Sequence, residues 1–300
     1  MARVFRKIAV ALAVGFATTL VACSGNQSNT ECDMAVTIEP LKYIIEGITG
    51  DDFTIEVVVP NGASPETYEP TPKQLIRLNK SQMIFSTGLI DFENALLGRI
   101  GKQAAIINLS EGIELIEGSC SHNHSHDHSQ ASRSEHHHVH GIDPHIWTSP
   151  RELKTMAENA FQAIKRLYPD SAKYDAAYEA LAAKLDALDK ECEQMCHDAN
   201  TKAFVVYHPA LTYFARAYGI EQIAVENDGK EPSAKHLANI IEQAKVKGVK
   251  CVLYQTQYPR SVVEVVAKDM GVECVEFNPL AENVVENILQ ITRTITGTKQ

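Results

Sequence analysis

The chain has 300 residues, 44% of them hydrophobic, and a formal net charge of −10. That acidic balance, with no basic patch, excludes a nucleic-acid or anionic-lipid surface and makes a cation the more sensible partner. The length suits two lobes with cores of ordinary size, and a monomer is expected.

At the N-terminus, Arg3, Arg6 and Lys7 precede an uncharged run of apolar and small residues at 8–22, closed by Leu20-Val21-Ala22-Cys23. This resembles a bacterial lipoprotein signal. By that resemblance residues 1–22 are a signal peptide, the Cys23 thiol is acylated, and residues 23–33 tether the chain to a membrane on the periplasmic or extracytoplasmic side. The run is too short to span a bilayer comfortably, and no other apolar run approaches spanning length.

From residue 34 short β-branched runs alternate with helical stretches. Strands are expected at 34–38, 53–59, 82–86 and 104–108, forming an N-terminal α/β lobe over 34–148. The second strand leads into Pro60-Asn61-Gly62-Ala63-Ser64-Pro65-Glu66-Thr67-Tyr68-Glu69-Pro70, so Glu66 lies between a strand end and a helix capped by Thr71-Pro72-Lys73-Gln74. Glu93, in LIDFENALL, either supports a cleft or covers a helix.

Eight of the 12 histidines then fall within 122–140: His122, His124, His126, His128, His136, His137, His138 and His140. Imidazoles interleaved with Ser, Asn and Asp cannot pack a core, and they suit a solvated, metal-collecting loop over 120–140. The tract runs into Gly141-Ile142-Asp143-Pro144-His145-Ile146-Trp147. Next, Ser149-Pro150-Arg151-Glu152 reads as a capping box opening a helix that ends near Tyr168. Apolar residues at Tyr174, Tyr178, Leu181, Leu185, Leu188, Cys192 and Met195 predict one helix of roughly 25 residues, on the order of 40 Å. The helical region 149–200 thus supplies a stiff link between lobes, with a coiled-coil dimer as the competing explanation.

A second α/β lobe over 201–300 carries expected strands at 203–207, 222–225, 250–254 and 273–277. Open parallel sheets bind ligands beyond the carboxyl ends of their strands. That rule singles out His208, followed by Pro209 as a helix opener, together with Gln255 and Asn278. Ser233 reads as a helix cap, and His197 and His236 as surface residues. Six cysteines besides Cys23 (Cys32, Cys120, Cys192, Cys196, Cys251 and Cys274) admit fifteen disulfide connectivities, which spacing cannot resolve; Cys251 and Cys274 match in local context. No Cys-x-x-Cys marks a thiolate zinc site.

The loop PNGASPETYEPTP, the segments GIDPHIWTSP and VVYHPALTYFARAYGI, and the ending FNPLAENVVENI resemble the zinc and manganese solute-binding lipoproteins of bacterial ABC transporters. The resemblance implies a metal-type periplasmic binding protein fold: two α/β lobes, each a mainly parallel sheet with flanking helices, joined by one long rigid helix. It also implies a non-enzymatic role, in which one ion is held between the lobes and delivered to a membrane permease with its ATPase. Carried onto this sequence, the metal ligands are Glu66, His145, His208 and Asn278, with the tract as accessory. Glu66 stands where most relatives have histidine, and Asn278 where many have aspartate; the two swaps leave the same formal ligand charge. Asn278 also suits an N-cap ahead of Pro279, in which case water, Gln255 or a tract histidine substitutes for it as ligand. Zn2+ is the expected cargo and Mn2+ the alternative, because the set is oxygen-rich. Two other functions stay open: a secreted zinc hydrolase, for which no H-E-x-x-H motif exists, and a metal-dependent surface adhesin or store.

Overall fold

The computed structural model describes residues 33–118, 141–226, 232–258 and 260–298. Cys23, Cys32, Cys120 and the histidine tract lie outside the described residues. Among the described residues no helix is long and apolar enough to cross a membrane.

Each of the eight expected strands is present: four are a residue or two shorter than expected, the second is four residues shorter, and the last three keep their expected length. In the first half, β1 (Met34–Val36), β2 (Ile55–Val57), β3 (Met83–Ser86) and β4 (Ala105–Asn108) alternate with α1 (Glu39–Thr49), α2 (Pro72–Leu78) and α3 (Asp91–Leu97). Parallel pairing, with Met34 opposite both Ile55 and Met83, gives the order β2-β1-β3-β4. The second half repeats this design. Strands β5 (Ala203–Val206), β6 (Glu221–Ala224), β7 (Cys251–Gln255) and β8 (Glu273–Phe277) alternate with α6 (Thr212–Tyr218), α7 (Ala234–Val246) and α8 (Arg260–Met270), and α9 (Val284–Thr296) closes the fold. Their order is β6-β5-β7-β8, again all parallel. In both sheets the chain winds to one side of its first strand and then crosses to the other. The reversal leaves a crevice beyond the carboxyl ends of β1 and β3, and another beyond β5 and β7.

Between the sheets lie α4 (Pro150–Leu167) and α5 (Ala172–Asp198), the latter 27 residues long. Most of the predicted stripe is realised: Tyr174, Leu181, Leu185, Leu188 and Cys192 are buried, Tyr178 and Met195 are half-buried, and Cys196 joins the buried face. Helix α4 lies along α5, with Phe161 stacked on Tyr178 at 4.3 Å and Arg151, Lys154 and Lys165 paired with Asp189, Asp186 and Asp175. Toward its start α5 meets α1, where a Cβ on Gly47 would lie 3.1 Å from Leu181 Cδ2, so any larger residue there would push the Leu181 side chain by a few tenths of an ångström. Toward its end it meets α9, with Cys192 Sγ 3.3 Å from Thr292 Oγ1. The stripe is therefore consumed within the chain and needs no coiled-coil partner. One apolar core runs from Met34 through Trp147, α4 and α5 to Leu253 and Ile291; a second covers the other face of the C-terminal sheet around Val205, Val252 and Val263.

Local expectations divide. The Thr71 box forms, Gln74 N donating to Thr71 Oγ1 and Thr71 N to Gln74 Oε1, and Ser233 Oγ accepts from His236 N. The Ser149 box does not. Helix α4 begins at Pro150 as expected, but Ser149 Oγ makes no cap and Glu152 is drawn instead to Arg216 at 2.7 Å, a stronger, charge-assisted bond. Pro209 does not open a helix either; α6 begins at Thr212. Cys192, Cys196, Cys251 and Cys274 are free thiols. Pairing of Cys251 with Cys274 is ruled out by register: Cys251 sits opposite Glu273 and Val252 opposite Cys274, so the two cysteines point to opposite faces of the sheet. Burial pushes the Cys251 and Cys196 thiols up to about 12 and Cys192 up to about 11.

Candidate metal centre

Three segments far apart in sequence converge beyond the strand ends. Glu66 comes from the loop after β2. That loop is held by Gln74, whose Nε2 donates to Val58 O at 2.7 Å while its Oε1 accepts from Tyr68 OH at 2.9 Å, and by Tyr68 packed edge-on against Phe92. His145 enters on the segment after Gly141. There Glu117 and Ile142 form an antiparallel bridge, and a Cβ on Gly118 would lie 2.9 Å from Asp143 N, so the backbones flanking 119–140 are pinned together immediately before Asp143. Tyr213 OH donates to Asp143 O, and Trp147 Nε1 to Pro279 O, fixing this segment against the second half. His208 lies two residues past the end of β5.

Glu66 Oε1 lies 2.7 Å from His208 Nε2 and 3.6 Å from His145 Nε2, and one donor atom from each of the three residues falls within 4.8 Å of the others. Among the described residues this is the one such set of His, Cys, Asp or Glu. His145 and His208 are almost fully buried, with their rings 5.2 Å apart. The lining adds Trp147, Gln255, Tyr258 and Leu280 around a cavity of about 20 Å³, room for a single ion or water.

Each imidazole has its second nitrogen tied down. His145 Nδ1 is 2.8 Å from Asp143 Oδ1, which also accepts the His145 backbone N–H at 2.9 Å. His208 Nδ1 is 2.8 Å from Glu226 Oε1, and the His208 ring stacks on Tyr258. A ring that donates Nδ1–H to a carboxylate presents its Nε2 lone pair when neutral, the arrangement by which outer carboxylates orient metal-binding histidines. His208 Nε2 faces Glu66 Oε1 across 2.7 Å. Burial opposes a proton on His208, but Glu226 and Glu66 outweigh it and push the ring up to about 9. Burial likewise works against a charge on Asp143, yet the adjacent His145 holds its carboxyl below the usual range.

Residues 34–296 match the family of zinc-uptake complex component A, periplasmic, known as ZnuA. The chain belongs to that family. It is 28% identical over 288 residues to the zinc-binding lipoprotein AdcA of Streptococcus pneumoniae, an alignment covering 92% of this chain but 55% of the relative, so the chain spans about half the length of that protein. It is 28% identical over 290 residues to the high-affinity zinc uptake system protein ZnuA of Bacillus subtilis, covering 92% of this chain and 89% of the relative. A crystal structure of ZnuA superposes with a TM-score of 0.77 at 30% identity, covering 89% of this chain and 98% of the other. These are transport components, not enzymes, and the hydrolase alternative falls.

In this ZnuA-family chain the expected site residues are only partly united. Glu66, His145 and His208 meet, and Asn278 is not among the residues that line their cavity. Asn278 Oδ1 accepts from Leu280 N at 2.9 Å in a local turn, and its backbone O accepts from Asn287 Nδ2 at 2.8 Å. Nor is it a helix cap, because α9 starts at Val284 behind Asn283, whose Oδ1 accepts from Glu286 N. Glu93 supports rather than binds: its buried carboxylate accepts from Thr37, Thr87, Leu89 and Ile90. His197 and His236 stay outside the group. Sequence reasoning missed Asp143 and Glu226. Strand register places Glu226: Val206 is opposite Ala224, and continuing two residues sets His208 beside Glu226, a pairing that nothing along the chain announces.

Proposed function

We propose that this chain captures zinc outside the cytoplasm on Glu66 Oε1, His145 Nε2 and His208 Nε2 and passes the ion to an ABC permease with its ATPase. The observation that carries the reading is the convergence of these three atoms, with Asp143 and Glu226 bracing the two imidazoles. One carboxylate and two neutral imidazoles form a borderline donor set suited to zinc. The relatives named for zinc support that cargo, as does a zinc-bound deletion mutant of ZnuA that superposes at a TM-score of 0.75 and 30% identity. Manganese is the second reading, favoured by the Glu66 oxygen in a position where most relatives carry histidine. Asn278 does not line the cavity, so it would enter the ligand set only if the loop after β8 carried its amide there. The tract from His122 to His140 serves as a collector or sensor beside the site, and acylation of Cys23 keeps the chain at the membrane.

Ligands from both halves replace water around the entering ion. The shared core through α5 restricts the halves to a small closing motion, and the permease reads the loaded form. Calorimetric titration of zinc and of manganese into the mature protein, with and without residues 120–140, tests this. One tight zinc site that survives the deletion is expected, and His145→Ala or His208→Ala should weaken it by more than the roughly 100-fold typical of outer partners. Zinc binding that vanishes with the tract but ignores both substitutions would sink the proposal.

A further inference from the structure

Gln255 ends β7, beside His208 at the crevice of the second sheet, and it is 1% exposed. Its Nε2 donates to His208 O at 3.1 Å. That bond settles which way the amide faces, because an amide oxygen turned toward a backbone carbonyl oxygen would repel it. The other end, Oε1, is buried and has no hydrogen-bond partner among the described residues. The residue lines the same cavity as Glu66, His145 and His208. Buried amide oxygens are nearly always satisfied, and one that is not calls for an explanation. The second amide expected near this site, that of Asn278, does not line the cavity and accepts from Leu280 N instead.

We infer that Gln255 Oε1 is the fourth donor to the bound cation, so that the set is Glu66, His145, His208 and Gln255. This rests on the metal-capture reading above. Three donors leave a tetrahedral zinc one position short, and an amide oxygen fills it without changing the net ligand charge. The oxygen is supplied from the end of β7 instead of from the loop after β8. The same side chain grips the His208 carbonyl through Nε2, so binding through Oε1 couples the ion to the backbone carrying its imidazole ligand. A neutral, hard oxygen here also makes Gln255 a determinant of metal preference.

The test compares Gln255→Leu and Gln255→Glu in the full mature chain, reading zinc and manganese affinity by competition with a chelating dye and the visible absorption of the cobalt-loaded protein. Thermal melting of each variant without metal checks the fold. Gln255→Leu should weaken zinc by roughly tenfold or more and alter the cobalt spectrum. Gln255→Glu keeps an oxygen donor but loses the donation to His208 O. It should bind zinc at least as tightly as wild type and shift the zinc-to-manganese ratio toward manganese. A residue that merely positioned His208 would leave both variants weakened alike. That result, or a Gln255→Leu protein with wild-type affinity and spectrum, overturns the inference while leaving the capture site intact. Wild-type protein that binds no zinc, or binds it independently of His208, would defeat the capture reading itself.

Discussion

The two sheets have the same strand order, yet their crevices are put to opposite uses. Beyond β1 and β3, Thr37 and Thr87 are bridged by Glu93, whose carboxylate accepts from Thr37 Oγ1 at 2.5 Å, from Thr87 Oγ1 at 2.7 Å and from the amides of Thr87, Leu89 and Ile90. Beyond β5 and β7, His208 and Gln255 face a cavity, and the nearby acid, Glu226, stands behind the imidazole at 2.8 Å. Topology makes both crevices; the position of one buried acid decides what each becomes. Laid across the strand ends it seals them, and set behind a histidine it leaves a lone pair facing inward. The first half consequently delivers its donor, Glu66, from the loop after its edge strand.

That contrast can be broken by substitution. Glu93→Ala removes the acceptor for two threonine hydroxyls and the loop amides and should cost roughly 3 kcal/mol or more of unfolding free energy in urea titration. Zinc affinity of the folded protein should stay within a few-fold. Lost affinity at unchanged stability would show that the sealed crevice belongs to the binding machinery after all. Glu226→Gln should do the reverse, weakening zinc by roughly 10- to 100-fold with stability nearly preserved; calorimetry alongside denaturation separates the two effects.

Smaller effects sharpen the comparison. Burial raises the Glu93 carboxyl above its ordinary value of 4.5. The folded state then binds a proton that the unfolded chain releases, so this group's contribution to stability is fully present below pH 4.5 and is lost as pH rises toward the raised value. Glu93→Gln should flatten that part of the stability profile, whereas Glu226→Gln should leave it in place; parallel profiles for wild type and Glu93→Gln would contradict the assignment. Least of all, Asn278→Ala should cost about 1 kcal/mol through its turn with Leu280 and leave zinc affinity within about twofold. A large loss of affinity would return Asn278 to the ligand set.

Much of this molecule was legible along the chain. The strands announced themselves as β-branched runs, the long helix as an apolar stripe, and Glu66, His145 and His208 as residues placed just beyond strand ends or just ahead of a helix. The failures share a cause. Ser149 and Glu152 have the spacing of a capping box, but Arg216, distant in sequence, bids more strongly for the carboxylate. Cys251 and Cys274 have matching surroundings, but register turns them to opposite faces. Asn278 lies just past the end of β8, but packing keeps it out of the cavity lining, and its oxygen accepts from a backbone amide two residues on.

Periodicity, turn chemistry and donor type are local properties, and they established the elements and the metal-suited side chains. Which donors share a cavity, which acid stands behind which ring, and which way the Gln255 amide faces were settled by strand register and by contacts between remote segments. A donor set works only when its atoms fall within a few ångströms of one point, and packing, not spacing along the chain, sets that distance.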